Sequence, residues 1–446
     1  MSAHSLSRLS RTPRSEVGFL RAWTALLGAV PVPPIPRRVG RPPRVPVADL
    51  LAALTYHVAQ GAGTLADHFT ELFGTDLADS SWSDRRQRLP WDIFADLMAR
   101  VLRPRATRAH ADAFWRGWRL LALDGTQFSL INTAQVHARQ SKARSRRGDA
   151  AFAKLTAVVL LELGLRNPIA AAVGHVGESE WALGRQVLSR IPPHALVLGD
   201  RLYGCTAFAR EALATCHRVG SHFVLRVRMH IRPTEIERLP DGSRLVRVPV
   251  RDPRLTRHIL DWFTVREIRV RVGRPGHRTT ELRLWTSVLD PTQAPAPEVA
   301  ALYARRWEHE LYFREVKRTL RHTDLLQSHT VETGAQEIAA IVLASALLAV
   351  ERLTIAGDDL PPLRVRFAKL HQVVQALWLT LALGDGVLTE AQRRTMFKRG
   401  QERMRQCLVP ERRSRSCPRK VRQPLRGWPR LLHNESVEGP FHLDIL

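Results

Sequence analysis

Residues Tyr303 to Lys317 read YARRWEHELYFREVK. Within this stretch Tyr303, Arg306, Glu310 and Lys317 follow one another at steps of three, four and seven. At about 100° per residue those steps keep all four side chains on one stripe of a helix. Leu302, Phe313, Val316 and Leu320 border the stripe on one side, Trp307 and Leu311 on the other. Glu310 is therefore expected half inside a core, between cationic and phenolic neighbours. A solvated ladder through Arg306, Glu310 and Arg314 satisfies the same spacing. The rest of the chain must decide between the two.

The chain has 446 residues, enough for two or three domains, and a hydrophobic fraction of 44%, ordinary for a globular protein. Its charge is not ordinary: 68 Lys and Arg stand against 42 Asp and Glu, a formal net charge of +26. Such an excess repels itself unless a polyanion or solvent screens it, so nucleic acid is the expected partner and an anionic membrane surface the weaker one. An arginine-rich genome composition would raise the same count. Cys205, Cys216, Cys407 and Cys417 form no C-x-x-C pair. That disfavours a zinc ribbon or disulfide framework and fits a reducing cytosol. The N-terminus lacks the continuous apolar core of a signal peptide. The longest apolar run, Ile338–Val350, is interrupted only by Ser345 and reads as a buried helix rather than a bilayer span.

Along the chain, residues 1–45 form a Pro/Arg-rich leader. Residues 46–115 read as short helices, with Arg85, Arg86 and Arg88 near a turn. They suit either a helix-turn-helix-like DNA-binding domain or a plain helical cap. From 116 to 225 the period shortens: WRLLALDGTQFSLIN, KLTAVVLLELGL, PIAAAVGHV and HALVLGD read as strands, the middle two as a hairpin over Arg166-Asn167. Between the first two lies a basic loop, Arg139–Gly148. Residues 226–292 alternate Val, Ile or Leu with Arg, the period of a β-rich insertion with one buried and one basic face. Residues 293–330 carry the opening helix. Residues 331–390 are apolar helices and the expected dimer contact, and 391–446 are a basic tail, a nucleic-acid-binding arm or a solvated segment.

Three acids stand where chains seldom put them. Asp124 interrupts an apolar strand, Asp200 ends another, and Glu310 lies on the helical stripe. A carboxylate in an apolar setting is costly unless paired, and a divalent cation is an effective partner. Three carboxylates from two strands and a helix would hold hard cations, Mg²⁺ or Mn²⁺. Two such ions on one phosphodiester would activate the attacking oxygen and stabilise the leaving one. Arg306 and Lys317 would then hold neighbouring phosphates, and Tyr303 would donate to or pack on the DNA backbone. Gly125 would admit the nucleic acid, and Thr126 would support Asp124.

LALDGT, VLGDRLYG and Y-x2-R-x3-E-x6-K together resemble the three catalytic blocks of the bacterial IS4-family insertion-sequence transposases, over roughly Asp79 to Leu326. The last block is the specific one, matching at all four positions. The resemblance implies an α/β fold: a ribonuclease-H-like mixed sheet flanked by helices, a β-rich insertion between the second and third acids, and helical N- and C-terminal regions. It implies Asp124, Asp200 and Glu310 as catalytic metal ligands for two Mg²⁺ ions, with Mn²⁺ able to substitute. It implies Tyr303, Arg306 and Lys317 as DNA contacts, and a homodimer bound to double-stranded transposon ends and target DNA. Trp307 matches an aromatic that grips a flipped base during hairpin formation. Leu282 falls at the partner aromatic position, with Trp285 only nearby, and Leu202 stands where glycine is common. Tyr203 and Trp285 are expected in the core, His309 and His322 at the surface. The expected activity is cut-and-paste transposition. A nuclease without strand transfer and a non-catalytic DNA-binding repressor are the alternatives.

Overall fold

The apolar run containing Asp124 is a strand, and the sheet is built outward from it. The computed structural model describes residues 15–28, 45–76, 78–145, 148–252, 255, 258–273, 280–323, 325–410 and 442–445. It opens with α1 (Phe19–Leu27), α2 (Val47–Gln60), α3 (Leu65–Phe73), α4 (Asp79–Gln87) and α5 (Trp91–Val101). There follow β1 (Phe114–Trp115), β2 (Trp118–Ser129), α6 (Ala134–Arg139), β3 (Arg144–Ser145), β4 (Gly148–Asp149), β5 (Lys154–Glu162), β6 (Asn167–Val173), α7 (Glu180–Leu188), β7 (Ala195–Gly199) and α8 (Thr206–Arg218). The insertion supplies β8 (His222–Arg226), β9 (Thr234–Arg238), β10 (Arg244–Arg251), β11 (Ile259–Gly273) and β12 (Thr280–Thr286). The chain continues with α9 (Ala296–Tyr303), α10 (Trp307–Arg314), α11 (Val331–Ala356), α12 (Phe367–Leu383), α13 (Glu390–Arg405) and β13 (His442–Ile445). It falls into two compact units: Met1–Phe114, Asp124–Arg190 and Glu308–Val409 in the first; Trp115–Leu123, Ile191–Trp307 and Pro410–Leu446 in the second.

In the second unit, the opening half of β2 runs parallel to β7, and β7 parallel to β8. These strands are Leu- and Val-rich because both faces of a parallel sheet are covered. β12, β11, β10 and β9 extend the sheet beyond β8 in that order. β13 adds against Val270–Gly273 of β11. The insertion does not present the uniform basic face that its alternation suggests. Arg266 and Arg283 are buried. Arg266 pairs with Asp241 and donates to the Ala294 carbonyl at 2.6 Å. Arg283 pairs with Glu267 at 2.5 Å and donates to the Ile231 carbonyl at 2.7 Å. Two buried guanidinium groups need such partners, since an unpaired buried charge is expensive.

In the first unit, β5 and β6 form the expected antiparallel hairpin, turning through Gly164 and Arg166 at positive φ. Their order in the sheet is β6, β5, β2. The α/β character expected of the chain is present, with parallel pairs β2–β7 and β7–β8 in the second unit and the antiparallel β5–β6 hairpin in the first. α11 is the core of this unit. It is the single helix among the described residues long and apolar enough to cross a membrane, and 83% of its apolar window is buried inside the fold. That surface is already covered, so α11 offers little to the dimer contact expected of residues 331–390.

Other expectations change here as well. The leader contains α1, whose Phe19 ring lies 4.8 Å from Tyr56 and 5.2 Å from Trp378. Arg86 is not a free phosphate contact. Its guanidinium donates to Ser328 Oγ at 2.8 Å and the Thr333 carbonyl at 2.6 Å, fixing α4 against the start of α11. Arg139 pairs with Glu332. The Arg residues of 412–430 and the leader prolines of 31–43 lie outside the described residues.

Candidate catalytic site

β2 and β7 carry the first two acids. Their parallel register pairs Arg119 with Ala195 through Leu123 with Gly199. Asp124 and Asp200 are each the next residue after the last pair, Asp200 just past the C-terminal end of β7 and Asp124 midway along β2, where its pairing with β7 stops. Ligand-binding groups of α/β sheets collect at such ends. The Asp124 Oδ1 accepts the Gly125 N–H at 2.9 Å.

Asp200 is held by its own loop. Its Oδ1 accepts the Leu202 N–H at 2.5 Å, and the Tyr203 N–H donates to its carbonyl at 3.2 Å. Two glycines make this turn possible. A Cβ on Gly199 would lie 2.5 Å from Leu225 Cδ2, and one on Gly204 would lie 1.9 Å from the Arg226 carbonyl oxygen. Tyr203 is buried against Phe208 with ring centroids 5.0 Å apart, the core role expected of it.

The opening stretch is helical but not one continuous helix. α9 ends at Tyr303, a 3-10 turn covers Ala304–Arg306, α10 runs from Trp307 to Arg314, and a π-helical turn covers Glu315–Leu320. A stripe drawn at constant angle is therefore broken twice, tightened before Glu310 and widened after it. Tyr303 is only 7% exposed. Its hydroxyl donates to the Gly199 carbonyl at 3.3 Å, next to Asp200. Trp307 is 58% exposed. Arg306 and Glu310 are half-buried.

The inner face of α10 explains its seating. Glu308 Oε2 accepts the Gly164 N–H at 2.9 Å, His309 Nε2 lies 2.9 Å from the Val159 carbonyl, and the Tyr312 hydroxyl lies 2.9 Å from Ser345 Oγ. His309 is thus fully buried rather than at the surface, because it shares the inner face with Tyr312 and Val316. His322 is exposed, as expected. Lys317 donates to the Gln127 carbonyl on β2, and its ammonium lies 4.8 Å from the Phe128 ring centroid. Glu310 and Lys317 therefore ride on a segment anchored to the strand that bears Asp124. Glu315, at the start of the π turn, takes Arg166 at 2.5 Å and Arg352 at 3.1 Å. The sequence reading missed this clamp, whose partners are 149 and 37 residues away.

Trp285 is fully buried, its indole N–H donating to Glu267 Oε2 at 3.0 Å, while Leu282, three residues earlier on β12, is half-buried. Gly125 does not open onto free space; the Glu180 side chain occupies the position a Cβ would take. Among the described residues no three His, Cys, Asp or Glu side chains form a ready-made metal cage.

The family profile of the transposase DDE domain matches residues 115–347. The transposase InsG of insertion sequence element IS4 from Escherichia coli K12 is 27% identical over 320 residues, 70% of this chain and 69% of that protein. The putative transposase InsZ of the same organism is 25% identical over 164 residues, 36% of this chain and 54% of that one. A solved piggyBac transposase synaptic complex with hairpin DNA aligns over 85% of this chain and 81% of its own at 8% identity, with a TM-score of 0.43, too low to weigh. The profile match, which spans more than half of the chain, together with the IS4 relative makes this chain a member of the IS4-family DDE transposases.

Proposed function

We propose that this chain binds the terminal inverted repeats of an insertion sequence, cleaves the DNA there and joins the ends to new DNA. In this reading Asp124, Asp200 and Glu310 are the ligands of divalent cations. The supporting observation is the register of β2 and β7, which brings Leu123 opposite Gly199 and so puts both aspartates one step beyond the same pair. The donor set fits hard cations, being all carboxylate oxygen, and Mg²⁺ or Mn²⁺ are the natural choices. Bound as a pair, the ions supply activation of the attacking oxygen and stabilisation of the leaving one.

The chain's own residues do the rest. The Leu202 N–H orients the Asp200 carboxylate, and the Tyr303 hydroxyl braces the carbonyl of Gly199. Lys317, seated on β2, and Arg306 hold phosphates next to the scissile one. Exposed Trp307 stacks on a base at the end, a role that buried Trp285 cannot take. Two copies act on two ends as a homodimer.

Single Ala replacements of Asp124, Asp200 and Glu310 test the reading on DNA from the sequence flanking the gene. Cleavage should disappear in Mg²⁺ while end binding persists in EDTA. Full cleavage by Glu310→Ala would sink the assignment. Cleavage without joining of a pre-cut end would leave a nuclease.

A further inference from the structure

We propose that Glu337 is a positioning residue for the metal site: it fixes the segment that follows Glu310 in one register on the strand that bears Asp124. The inference rests on the metal-ligand reading above and concerns the first unit alone, which holds Asp124, Glu310 and Glu337. Glu337 lies in the second turn of α11 and is 4% exposed. Its Oε1 accepts from the Arg321 guanidinium at 2.5 Å and from the Gln327 N–H at 3.1 Å, and its Oε2 accepts from the Ser328 hydroxyl at 2.5 Å. One buried carboxylate therefore gathers donors that all come from residues 321–328.

Those residues join the end of the π turn to β2. The Arg321 N–H closes the turn on the Val316 carbonyl at 3.1 Å, and its guanidinium also donates to the Leu325 carbonyl at 3.0 Å. The Leu326 N–H then donates to the Ser129 carbonyl of β2 at 2.8 Å, and Leu325 bridges Ser129 in parallel. Lys317 holds the Gln127 carbonyl. Gln127 and Ser129 are two apart, so their carbonyls face one edge of the strand. The segment that carries Glu310 is thus hung on β2 by two consecutive rungs. α11 is a firm reference for that seat, because Gly334 presses on the end of β2: a Cβ there would lie 2.7 Å from Leu130 Cδ2. Stability alone would be served as well by an apolar pair, since a buried ion pair seldom outperforms one. What the forked guanidinium and its carboxylate add is a single geometry.

The test uses the full chain without DNA, well below its melting temperature, and reads Mn²⁺ affinity by calorimetric titration. Glu337→Gln keeps the shape but leaves the Arg321 charge unpaired. It should weaken Mn²⁺ binding about tenfold and speed amide exchange at Leu326. An affinity within about twofold of the parent would overturn the proposal. Arg321→Lys keeps the charge and loses the fork, so it should weaken binding by a smaller factor. Should Glu337→Gln not fold, Arg321→Lys decides, and parental affinity there refutes the proposal. Leu97→Ala, on α5, lowers stability outside the segment and should keep the parental affinity. An equal loss in Leu97→Ala would make the effect one of stability and equally refute it. Glu310→Gln separates the two levels. If it loses Mn²⁺ binding while Glu337→Gln does not, only the present inference fails. If Glu310→Gln binds Mn²⁺ like the parent, the metal-ligand reading falls, and this inference with it.

Discussion

Replacing Glu315 with Ala removes the anion that two arginines share at the start of the π turn. Arg352 is 3% exposed at its side chain and Arg166 16%, so neither guanidinium can recover its charge partner from water. The Nε atoms of both arginines already lack a hydrogen-bond partner among the described residues. Burial lowers the Arg352 pKa and Glu315 opposes that shift, so without Glu315 the cation stands exposed to the full desolvation cost. Breaking a buried pair from one side costs about 3–5 kcal/mol. Against a total stability of about 5–15 kcal/mol, that is between about a fifth and the whole of the margin. Glu315→Gln keeps an acceptor for one arginine and should cost less, about 1–3 kcal/mol. Urea unfolding followed by circular dichroism measures the loss, and amide hydrogen exchange over residues 307–320 localises it. Because α10 carries Glu310 on the same segment, Glu315→Ala should also reduce cleavage at temperatures where the protein is still folded. A loss under about 1 kcal/mol would refute the clamp.

His57 and His68 face each other with their Nδ1 atoms 2.9 Å apart, an arrangement that needs at least one neutral ring. Burial, then the neighbouring His68 and Arg86 charges, lowers the His57 pKa to about 4, and burial lowers that of His68. The unfolded chain then binds the proton better, so stability is full above about pH 6.5 and falls as pH drops toward 4, by about 3 kcal/mol from His57. Melting curves from pH 7 to 5 should show the fall, and His57→Gln should flatten it; an unchanged slope would contradict the pairing. Gly204→Ala should cost at least about 1–3 kcal/mol, since its Cβ would meet the Arg226 carbonyl oxygen at 1.9 Å. Denaturant midpoints check that, with a shift near zero as the contrary result. Trp307→Ala should leave stability within about 0.5 kcal/mol, because the ring is exposed, while weakening the handling of cleaved ends. Wild-type levels of end processing by that variant would remove Trp307 from the DNA contacts.

The sheet was legible because its strands are apolar runs rich in Leu, Val and Ala. β2, β7 and the β5–β6 hairpin follow directly from that pattern. The stripe of Glu310 was legible in its position but not in its detail. Constant helical periodicity hides a 3-10 turn before Glu310 and a π turn after it. His309 was misplaced although a signal was present, since it stands three and seven residues from Tyr312 and Val316 on the apolar face. Arg266 and Arg283 were read as solvent-facing because alternation reports charge and not partners. Asp241 and Glu267, 25 and 16 residues away, neutralise them inside the fold. Glu315 carried no local signal, since it takes its meaning from arginines distant in sequence.

The central claim is that Asp124, Asp200 and Glu310 serve one cation site, and metal-directed backbone cleavage tests it most directly. Fe²⁺ replaces Mg²⁺ in the full chain, and ascorbate with peroxide generates hydroxyl radicals wherever the ion is held. The account predicts cuts confined to the neighbourhoods of residues 124, 200 and 310, abolished together by excess Mg²⁺ and by Asp124→Asn. Cuts at only one of the three places, or cuts that survive Asp124→Asn, would contradict it.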